Sequence, residues 1–257
     1  MNQNKSSALS TSVKELGKWY HKIDLGLGVT TPGDRNQALA YALFSEYLPE
    51  NLEEKTVLDL GTNACGLSLE FAKRGAKVVA VESSPFYCKQ AKFVVEHFGL
   101  IDNIQIVNAD VFDILELGSF DFVCYVGLAY HIRHPQLVFD MLSHMTKERI
   151  FFSTQVMPGN ALALRSRAQS FRPSDAPLGS LYNYKGTPYG YEATELIFLE
   201  MCAASGFRQV EVISRKPHPG ESDGNYLGNS LYCTAIAATE PTRLPSLRRP
   251  PNFRRII

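Results

Sequence analysis

The stretch T-V-L-D-L-G-T-N-A-C-G, Thr56 to Gly66, decides the fold of this chain. Its first half, Thr56 to Leu60, is a short apolar run with β-branched residues, which predicts a buried strand. Apolar residues resume at helical spacing from Leu67 to Lys73. The glycines therefore lie where a strand gives way to a helix, and α/β sheets bind nucleotides at such a turn.

Two common glycine loops are excluded by the residues around Gly61 and Gly66. A phosphate-binding loop with this glycine spacing continues with Lys and Ser or Thr, whereas Leu67 and Ser68 follow here. A dinucleotide-binding turn needs a second glycine where the backbone approaches the pyrophosphate, and that position is Asn63, which disfavours a dehydrogenase. A nucleoside ligand without phosphates requires neither feature.

The segment V-L-D-L-G-T-N-A-C-G resembles motif I of class I S-adenosylmethionine-dependent methyltransferases. Thr62 and Asn63 depart from the common G-C-G-x-G form of that motif. The resemblance implies S-adenosyl-L-methionine as the cofactor and places Asp59 behind the turn. It also implies that Gly61, Thr62 and Asn63 contact the cofactor.

The composition bounds the class of protein. A chain of 257 residues suits one large domain. Lys plus Arg and Asp plus Glu both count 26, so the net charge gives no overall electrostatic case for nucleic acid. Five cysteines without C-x-x-C spacing indicate reduced core residues rather than disulfides or zinc. With no signal peptide or membrane-spanning run, we expect a soluble, cytoplasmic protein.

Two predictions concern the N-terminal region. Residues 1–18 are polar and are expected to be disordered. The aromatic and glycine-rich segment Trp19 to Arg35 is either an arm packed on the sheet edge or a lid across the cofactor. In the lid alternative, Trp19 or Tyr20 holds the sulfonium by a cation–π attraction of roughly 1–2 kcal/mol. Arg35 then binds the methionyl carboxylate with a two-pronged contact.

Carboxylates follow the second and third predicted strands. The strand Lys77 to Val81 delivers Glu82 about 20 residues beyond the first loop glycine, the reach expected for a carboxylate that accepts both ribose hydroxyls. Capping a helix is the alternative role, and the neighbouring Ser83 is a further cofactor-binding candidate. The family resemblance implies that Asp110, after the third strand, accepts from the adenine amino group beside Val111. Taken alone, the Asp110 side chain could equally cap a helix, but its register with Asp59, the loop and Glu82 favours binding.

A fourth buried strand, Phe120 to Val126, runs into G-L-A-Y-H-I-R-H-P. Ligands of open α/β sheets lie beyond the carboxyl ends of the strands, so Val126 and Tyr130 are expected near the cofactor and the reacting methyl group. His131 is the first candidate base, because imidazole titrates near about 6.5, and His21 is the second. The alternative is that these histidines only hold the backbone. The two histidines of this loop lack a nearby third ligand, so no metal site is predicted.

The rest of the chain completes the sheet and adds two unusual segments. Residues 157–191, after a fifth strand, form an insert rich in Tyr, Arg, Pro and Gly that we expect to cap the substrate, because ordinary connections span about 4–6 residues. A helix over 192–205 and two further strands joined by a polar loop follow. The tail 239–257, with five arginines among four prolines, is either solvated or a phosphate-seeking arm.

Across Trp19 to Ala238 the order of elements resembles one class I methyltransferase domain. It implies a doubly wound, Rossmann-like α/β fold, with a seven-stranded, mainly parallel sheet, an antiparallel last strand, an N-terminal arm and an insert after strand five. The pairing of W-Y-H-K-I-D…T-P-G-D-R with F-D-F-V-C-Y-V-G-L-A-Y-H-I-R-H-P is similar to the group that includes the tRNA wobble-uridine carboxymethyltransferase. In that group the tyrosine at position Tyr130 lies by the sulfonium.

The expected function is methyl transfer from S-adenosyl-L-methionine to an oxygen or nitrogen of a small-molecule substrate such as a secondary metabolite. A tRNA-modifying enzyme that uses the insert and the tail as a phosphate clamp is one alternative. A non-catalytic cofactor-binding module is another. The sequence favours no particular oligomeric state.

Overall fold

One mixed sheet runs through the computed structural model, which describes residues 2–166, 190–217 and 229–240. The helices are α1 Asn2–Glu15, α2 Gln37–Phe44, α3 Gly66–Ala72, α4 Pro85–His97, α5 Pro135–Met145 and α6 Glu195–Ala204. The strands are β1 Thr56–Leu60, β2 Lys77–Glu82, β3 Ile104–Asn108, β4 Phe120–Val126, β5 Thr146–Met157, β6 Leu164–Ser166, β7 Tyr191–Thr194, β8 Arg208–Pro217 and β9 Asn229–Ile236. Short 3-10 helices lie at Ser45–Tyr47, Val111–Asp113, Leu115–Leu117 and Ala129–His131.

The strand order confirms the predicted doubly wound, mainly parallel α/β sheet. Strands β3, β2, β1, β4 and β5 are neighbours in that order, and all their pairings are parallel. On the far edge of β5, the last strand β9 pairs antiparallel, and β8 pairs antiparallel with β9. These are the seven strands that the sequence predicts, with the expected antiparallel last strand.

The prediction of seven strands is nevertheless too low, because the described residues alone contribute nine strands to the sheet. The two additional strands, β6 and β7, pair antiparallel with each other. Strand β6 lies in the predicted insert, whereas β7 begins at the last residue of the insert and takes up the first three residues of the helix predicted over 192–205, which begins only at Glu195. Strand β7 also pairs parallel with the end of β5, through Val156 with Ala193. Strand β9 pairs with one edge of β5 at Val156. Strand β7 therefore pairs with the other edge, the one that β4 occupies, just beyond the last residue of β4.

The sheet separates two apolar cores. Helices α1 to α4 cover one face, where Phe122, Cys124 and Phe151 are buried. Helices α5 and α6 cover the other, where Tyr125 and Phe152 are buried. Side chains alternate between the two faces along each strand. A strand residue that lies an even number of positions from one of these residues therefore points to the same face.

The expected disorder of residues 1–18 is wrong, because residues 2–15 form α1. Polar residues dominate this helix, but Val13 is buried and the indole nitrogen of Trp19 donates to its carbonyl at 2.8 Å. The side chain of Gln90, on α4, donates to the carbonyls of Leu16 and Lys18 at 3.0 and 2.9 Å. Contacts with distant residues therefore hold a segment whose own composition favours disorder.

Residues 19–35 pack as an arm, the first of the two alternatives considered for this segment. Trp19 is buried against Phe93 of α4, with the ring centroids 6.3 Å apart, so its face is not available to a cofactor. A ring nitrogen of His97 lies 2.7 Å from the carbonyl oxygen of Leu25. The arm therefore lies along α4 and ends near the turn after β1.

Several predictions fall outside the described residues. They are most of the predicted substrate cap (167–189), the polar loop at 218–228 and the arginine-rich tail beyond residue 240. Within the described ranges, no helix is both long and apolar enough to cross a membrane. The same ranges contain no group of three or more His, Cys, Asp or Glu side chains that could hold a metal ion.

The arm depends on close backbone contact at Gly33, where a Cβ atom would lie 2.3 Å from the carbonyl oxygen of His21. We expect Gly33→Ala to destabilise the protein by about 3 kcal/mol, since the clash is with backbone that cannot rotate away. Gly28→Ala is the control, because that residue has a φ of +73° but no atom within 4 Å of the new Cβ. It should cost only about 1–2 kcal/mol of left-handed strain. Equal losses of thermal stability in the two variants would contradict this account of the arm.

Candidate functional site

The turn between β1 and α3 has an unusual backbone. Gly61, Asn63 and Cys65 all have positive φ values, of 70°, 51° and 59°. Left-handed backbone is tolerated by Gly and by Asn but is costly for other residues. These are the three glycine positions of the G-C-G-x-G form, so the turn keeps that backbone shape with two of its glycines replaced.

Asp59 lies behind this turn, as the sequence predicts. Its Oδ2 accepts hydrogen bonds from the hydroxyls of Thr62 at 2.8 Å and Ser68 at 2.5 Å. Burial raises the pKa of Asp59, and these hydroxyls oppose the rise. The side chain of Thr62 is buried against Asp59 and holds the turn, and the expected contact of Thr62 with the cofactor stays a prediction.

The tip of β2 meets the turn through Glu82. One carboxylate oxygen of Glu82 accepts from the backbone N–H of Asn63 at 3.0 Å, and the other accepts from the N–H of Ser84 at 2.8 Å. Burial raises the pKa of Glu82, and the backbone donors partly offset that rise. A carboxylate oxygen has more than one acceptor site, so Glu82 can also accept hydroxyl groups of a ligand beside the turn.

The backbone amides of the turn are already engaged. The N–H groups of Gly61 and Thr62 both donate to the carbonyl of Val81, at 2.9 and 3.0 Å, and that of Asn63 donates to Glu82. A phosphate site at a glycine turn is built from free N–H groups aimed at the ligand. These three amides are therefore not available to a pyrophosphate ligand, which agrees with the interpretation of the sequence.

The carboxyl end of β3 completes this part of the site. Asn108 donates to the carbonyls of Glu82 and Ser83 at 2.8 and 3.0 Å, which fixes the two strand ends together. Oδ1 of Asp110 accepts from the N–H of Phe112 at 3.0 Å and caps the 3-10 helix that begins at Val111. The capping role left open for Asp110 is thus observed, and the side chain of Val111 is buried.

Beyond β4, the chain folds back over the turn. A Cβ atom at Gly61 would lie 3.2 Å from the side chain of Leu128, so Leu128 covers that glycine. The Tyr130 ring is buried, and its hydroxyl oxygen lies 3.8 Å from the position of a Cβ atom at Gly127. The ring of His131 packs on that of Tyr130, with centroids 4.4 Å apart. The structure therefore brings Tyr130 and His131 together just after Val126, at the end of β4.

His21 reaches the same turn from the arm. A Cβ atom at Gly66 would lie 2.9 Å from its Nδ1, and its Nε2 is 3.1 Å from the amide nitrogen of Gln37. Burial lowers the pKa of His21 from 6.5 to about 3. A general base works best with a pKa near the operating pH, so the structure argues against the expected role of His21 as the second candidate base.

Tyr20 and Arg35 lie next to each other on the arm. The guanidinium of Arg35 lies 5.9 Å from the centroid of the Tyr20 ring, and the Tyr20 side chain is partly exposed. Tyr20 is therefore already in contact with a cation from the chain itself. The suggested contacts of Tyr20 with a sulfonium and of Arg35 with a carboxylate stay predictions.

Three residues of this site escaped the sequence analysis: Ser68, Leu128 and Gln37. Ser68 is a buried hydroxyl in the otherwise apolar first turn of α3, and that contrast was a usable signal. Leu128 and Gln37 carry no such signal, because their roles depend on contacts with distant parts of the chain.

Part of the chain is similar to known methyltransferases. Residues 57–148 match the Methyltransf_25 family, described as a methyltransferase domain. A stretch of 78 residues is 32% identical to a probable cobalt-precorrin-6B C(15)-methyltransferase (decarboxylating) of Methanobrevibacter smithii. That match spans 30% of this chain and only 40% of the relative.

Solved structures share the fold at low identity. The N-terminal domain of EvdMO1, crystallised in the presence of SAH and D-fucose, superposes with a TM-score of 0.68 at 20% identity, covering 90% of this chain and 96% of that domain. The glycopeptide N-methyltransferase MtfA, in complex with S-adenosylmethionine, gives a TM-score of 0.53 at 14% identity, covering 79% of this chain and 93% of that one.

The buried carboxylate of Asp59 makes Ser68 important for stability. We expect Ser68→Ala to destabilise the protein by about 2 kcal/mol, because hydrogen bonds to a charged group contribute more than neutral ones. Ser143→Ala is the matched control, since that buried hydroxyl donates to the neutral carbonyl of Asp140 at 2.8 Å. Thermal unfolding should show the larger loss for Ser68→Ala; equal losses would mean that the charge on Asp59 is irrelevant.

Proposed function

We propose that this chain, which contains a class I S-adenosylmethionine-dependent methyltransferase domain, binds S-adenosyl-L-methionine at the turn after β1 and methylates a small molecule. The observation that carries the proposal is the hydrogen bond from the N–H of Asn63 to Glu82, at 3.0 Å. It joins a turn whose Gly61, Thr62 and Asn63 amides are already engaged to a carboxylate suited to a ribose diol. The match of residues 57–148 to a methyltransferase domain supports it.

Each part of the cofactor is assigned to particular residues in this proposal. Glu82 accepts the ribose hydroxyls, with Asn63 and Ser83 at the edge of the sugar. The adenine lies toward Asp110 and Val111, where the second oxygen of Asp110 accepts no hydrogen bond from the described residues. The methionyl end points toward Tyr130. When bound, the cofactor supplies an electrophilic methyl group on a sulfonium.

The chain's own contribution to the reaction is to exclude water and to accept a proton. Leu128 lies against Gly61 and the Tyr130 ring is buried, and in this proposal both side chains keep water away from the reacting groups. A hydroxyl acceptor needs a base, and His131 is the candidate because it lies beside Tyr130 at the end of β4. An amine acceptor already in its neutral form needs no base.

A small-molecule acceptor is favoured over tRNA. The chain has no net charge, and binding of nucleic acid depends on an excess of Lys and Arg. Among the structural relatives, one was crystallised with a sugar present and another is named for a glycopeptide substrate. The arginine-rich tail, on which the tRNA alternative depends, lies outside the described residues.

Isothermal titration with S-adenosyl-L-methionine tests the cofactor site. We expect Glu82→Gln to weaken binding by about tenfold or more, because a charged acceptor of hydrogen bonds is worth roughly 1.5–3 kcal/mol. Glu96→Gln, an exposed change on α4, serves as the control and should bind like the wild type. A wild-type protein that does not bind, or a Glu82→Gln variant that binds equally well, would contradict the proposal. Binding without transfer to any acceptor would favour the non-catalytic module.

The pH dependence of binding gives an independent test. Because the pKa of Glu82 is raised above its ordinary value of 4.5, this carboxylate becomes protonated at a higher pH than an exposed one. Cofactor affinity should therefore begin to fall, as the pH is lowered, while the pH is still above 4.5. The Glu82→Gln variant, already weak, should lack this dependence. A wild-type affinity that stays constant down to pH 4.5 would show that the charge on Glu82 does not contribute.

A further inference from the structure

Four buried polar side chains at the carboxyl end of the sheet have no role in the site described so far. They are Ser153, Gln155, Glu192 and Ser230, and we call them the strand-end cluster. Each is at most 8% exposed. Burying polar groups is unfavourable unless they find partners, so a concentration of them at one edge of a sheet requires an explanation.

The strand pairing places all four on the same face. Ser153 and Gln155 follow Phe151 at alternate positions of β5, and Phe151 belongs to the core beneath α1 to α4. Ser230 pairs with Gln155 across β5 and β9. Val156 pairs with Ala193, and both belong to the core of the opposite face. The residues just before them, Gln155 and Glu192, therefore point to the face of Ser153.

The cluster adjoins the segment expected to hold the reacting groups. Strand β4 pairs with β5 only as far as Val126 with Ser153. Beyond that point β7 pairs with the same edge of β5. Its Glu192 lies two residues after Gly190 in the sequence. A Cβ atom at Gly190 would lie 2.3 Å from the carbonyl oxygen of Tyr130, so the two backbones are in direct contact. The cluster is thus continuous with the Tyr130 and His131 segment.

Gln155 supplies the observation that points to a ligand. Its Oε1 is buried, and among the described residues it has no hydrogen-bond partner. A buried acceptor without a partner lowers the stability of the free protein. Such a cost is commonly found at functional sites, where a ligand provides the missing donor.

We propose that the strand-end cluster is the acceptor subsite, that it binds a hydroxyl-rich small molecule, and that Gln155 accepts a hydrogen bond from one of its hydroxyls. The inference rests on the proposed methyltransferase function and names the substrate class for it. Hydroxyl, amide and carboxylate side chains together both donate and accept hydrogen bonds. That mixture complements neighbouring hydroxyls of a sugar-like molecule, each of which also donates and accepts.

The test replaces Gln155 by Met, which has a similar shape but no amide. Gln105→Met, an exposed change on β3, is the matched control. Wild type and variants are titrated with S-adenosyl-L-methionine, and transfer of a labelled methyl group is measured to D-fucose, D-glucose and D-galactose. Phenol and cyclohexanol serve as acceptors with a single hydroxyl. Thermal unfolding is recorded for each protein without ligands.

The expected result for Gln155→Met is a loss of transfer to the sugars of about tenfold or more, with cofactor affinity within twofold of the wild type. Its melting temperature should rise by about 2–4 °C, because an unpaired buried acceptor has been removed. A purely structural glutamine would not show this combination. Gln105→Met should change neither property.

The inference would be overturned by any of several outcomes. One is transfer by Gln155→Met equal to that of the wild type, and another is a wild-type preference for phenol and cyclohexanol over the sugars. Either result would show that the cluster does not bind a hydroxyl-rich acceptor, and the methyltransferase function would still stand. Loss of cofactor binding in Gln155→Met would assign the residue to the cofactor site instead. A wild-type protein that binds the cofactor but methylates none of these acceptors would contradict the assignment of a sugar-like substrate. A wild-type protein that binds no cofactor would contradict the proposed function itself.

Discussion

The hydrogen bond between the N–H of Asn63 and the Glu82 carboxylate is the interaction on which the rest of the site depends. It fixes the tip of β2 against the turn after β1, and it uses the amide that a phosphate ligand would need. Asp59, behind the turn, holds the same loop through two hydroxyls. Two buried carboxylates thus determine the shape of the turn, and one of them, Glu82, is the proposed acceptor of the ribose hydroxyls.

The turn keeps its backbone shape at a cost. Asn63 and Cys65 have left-handed backbone conformations that glycine adopts freely, and for Cys65 this strain is of order 1–2 kcal/mol. The Asn63 side chain offsets part of it by accepting from the N–H of Ala64 at 2.9 Å. Strain of this kind persists when the surroundings fix the conformation. The departures from the common motif therefore leave its geometry intact.

The sequence predicted the parts of the fold that depend on local pattern. Buried apolar runs marked β1, β2 and β4, and the sequence placed Glu82 at the tip of β2, where it contacts the turn. It failed where structure depends on distant contacts. Helix α1 forms from polar residues because Gln90 and Trp19 hold its end, and β7 exists because the end of β5 offers an edge beyond β4. The burial that lowers the pKa of His21 likewise comes from residues far apart in the chain. No local pattern signals such contacts.

A crystal structure of the full chain with S-adenosyl-L-homocysteine would test the central claim most directly. The account predicts that the ribose hydroxyls lie within hydrogen-bond distance of the Glu82 carboxylate, about 2.5–3.0 Å, with the homocysteine sulfur directed toward Tyr130. A ligand bound away from Glu82, or a structure in which Leu128 still fills the space in front of the turn and no ligand enters, would contradict it.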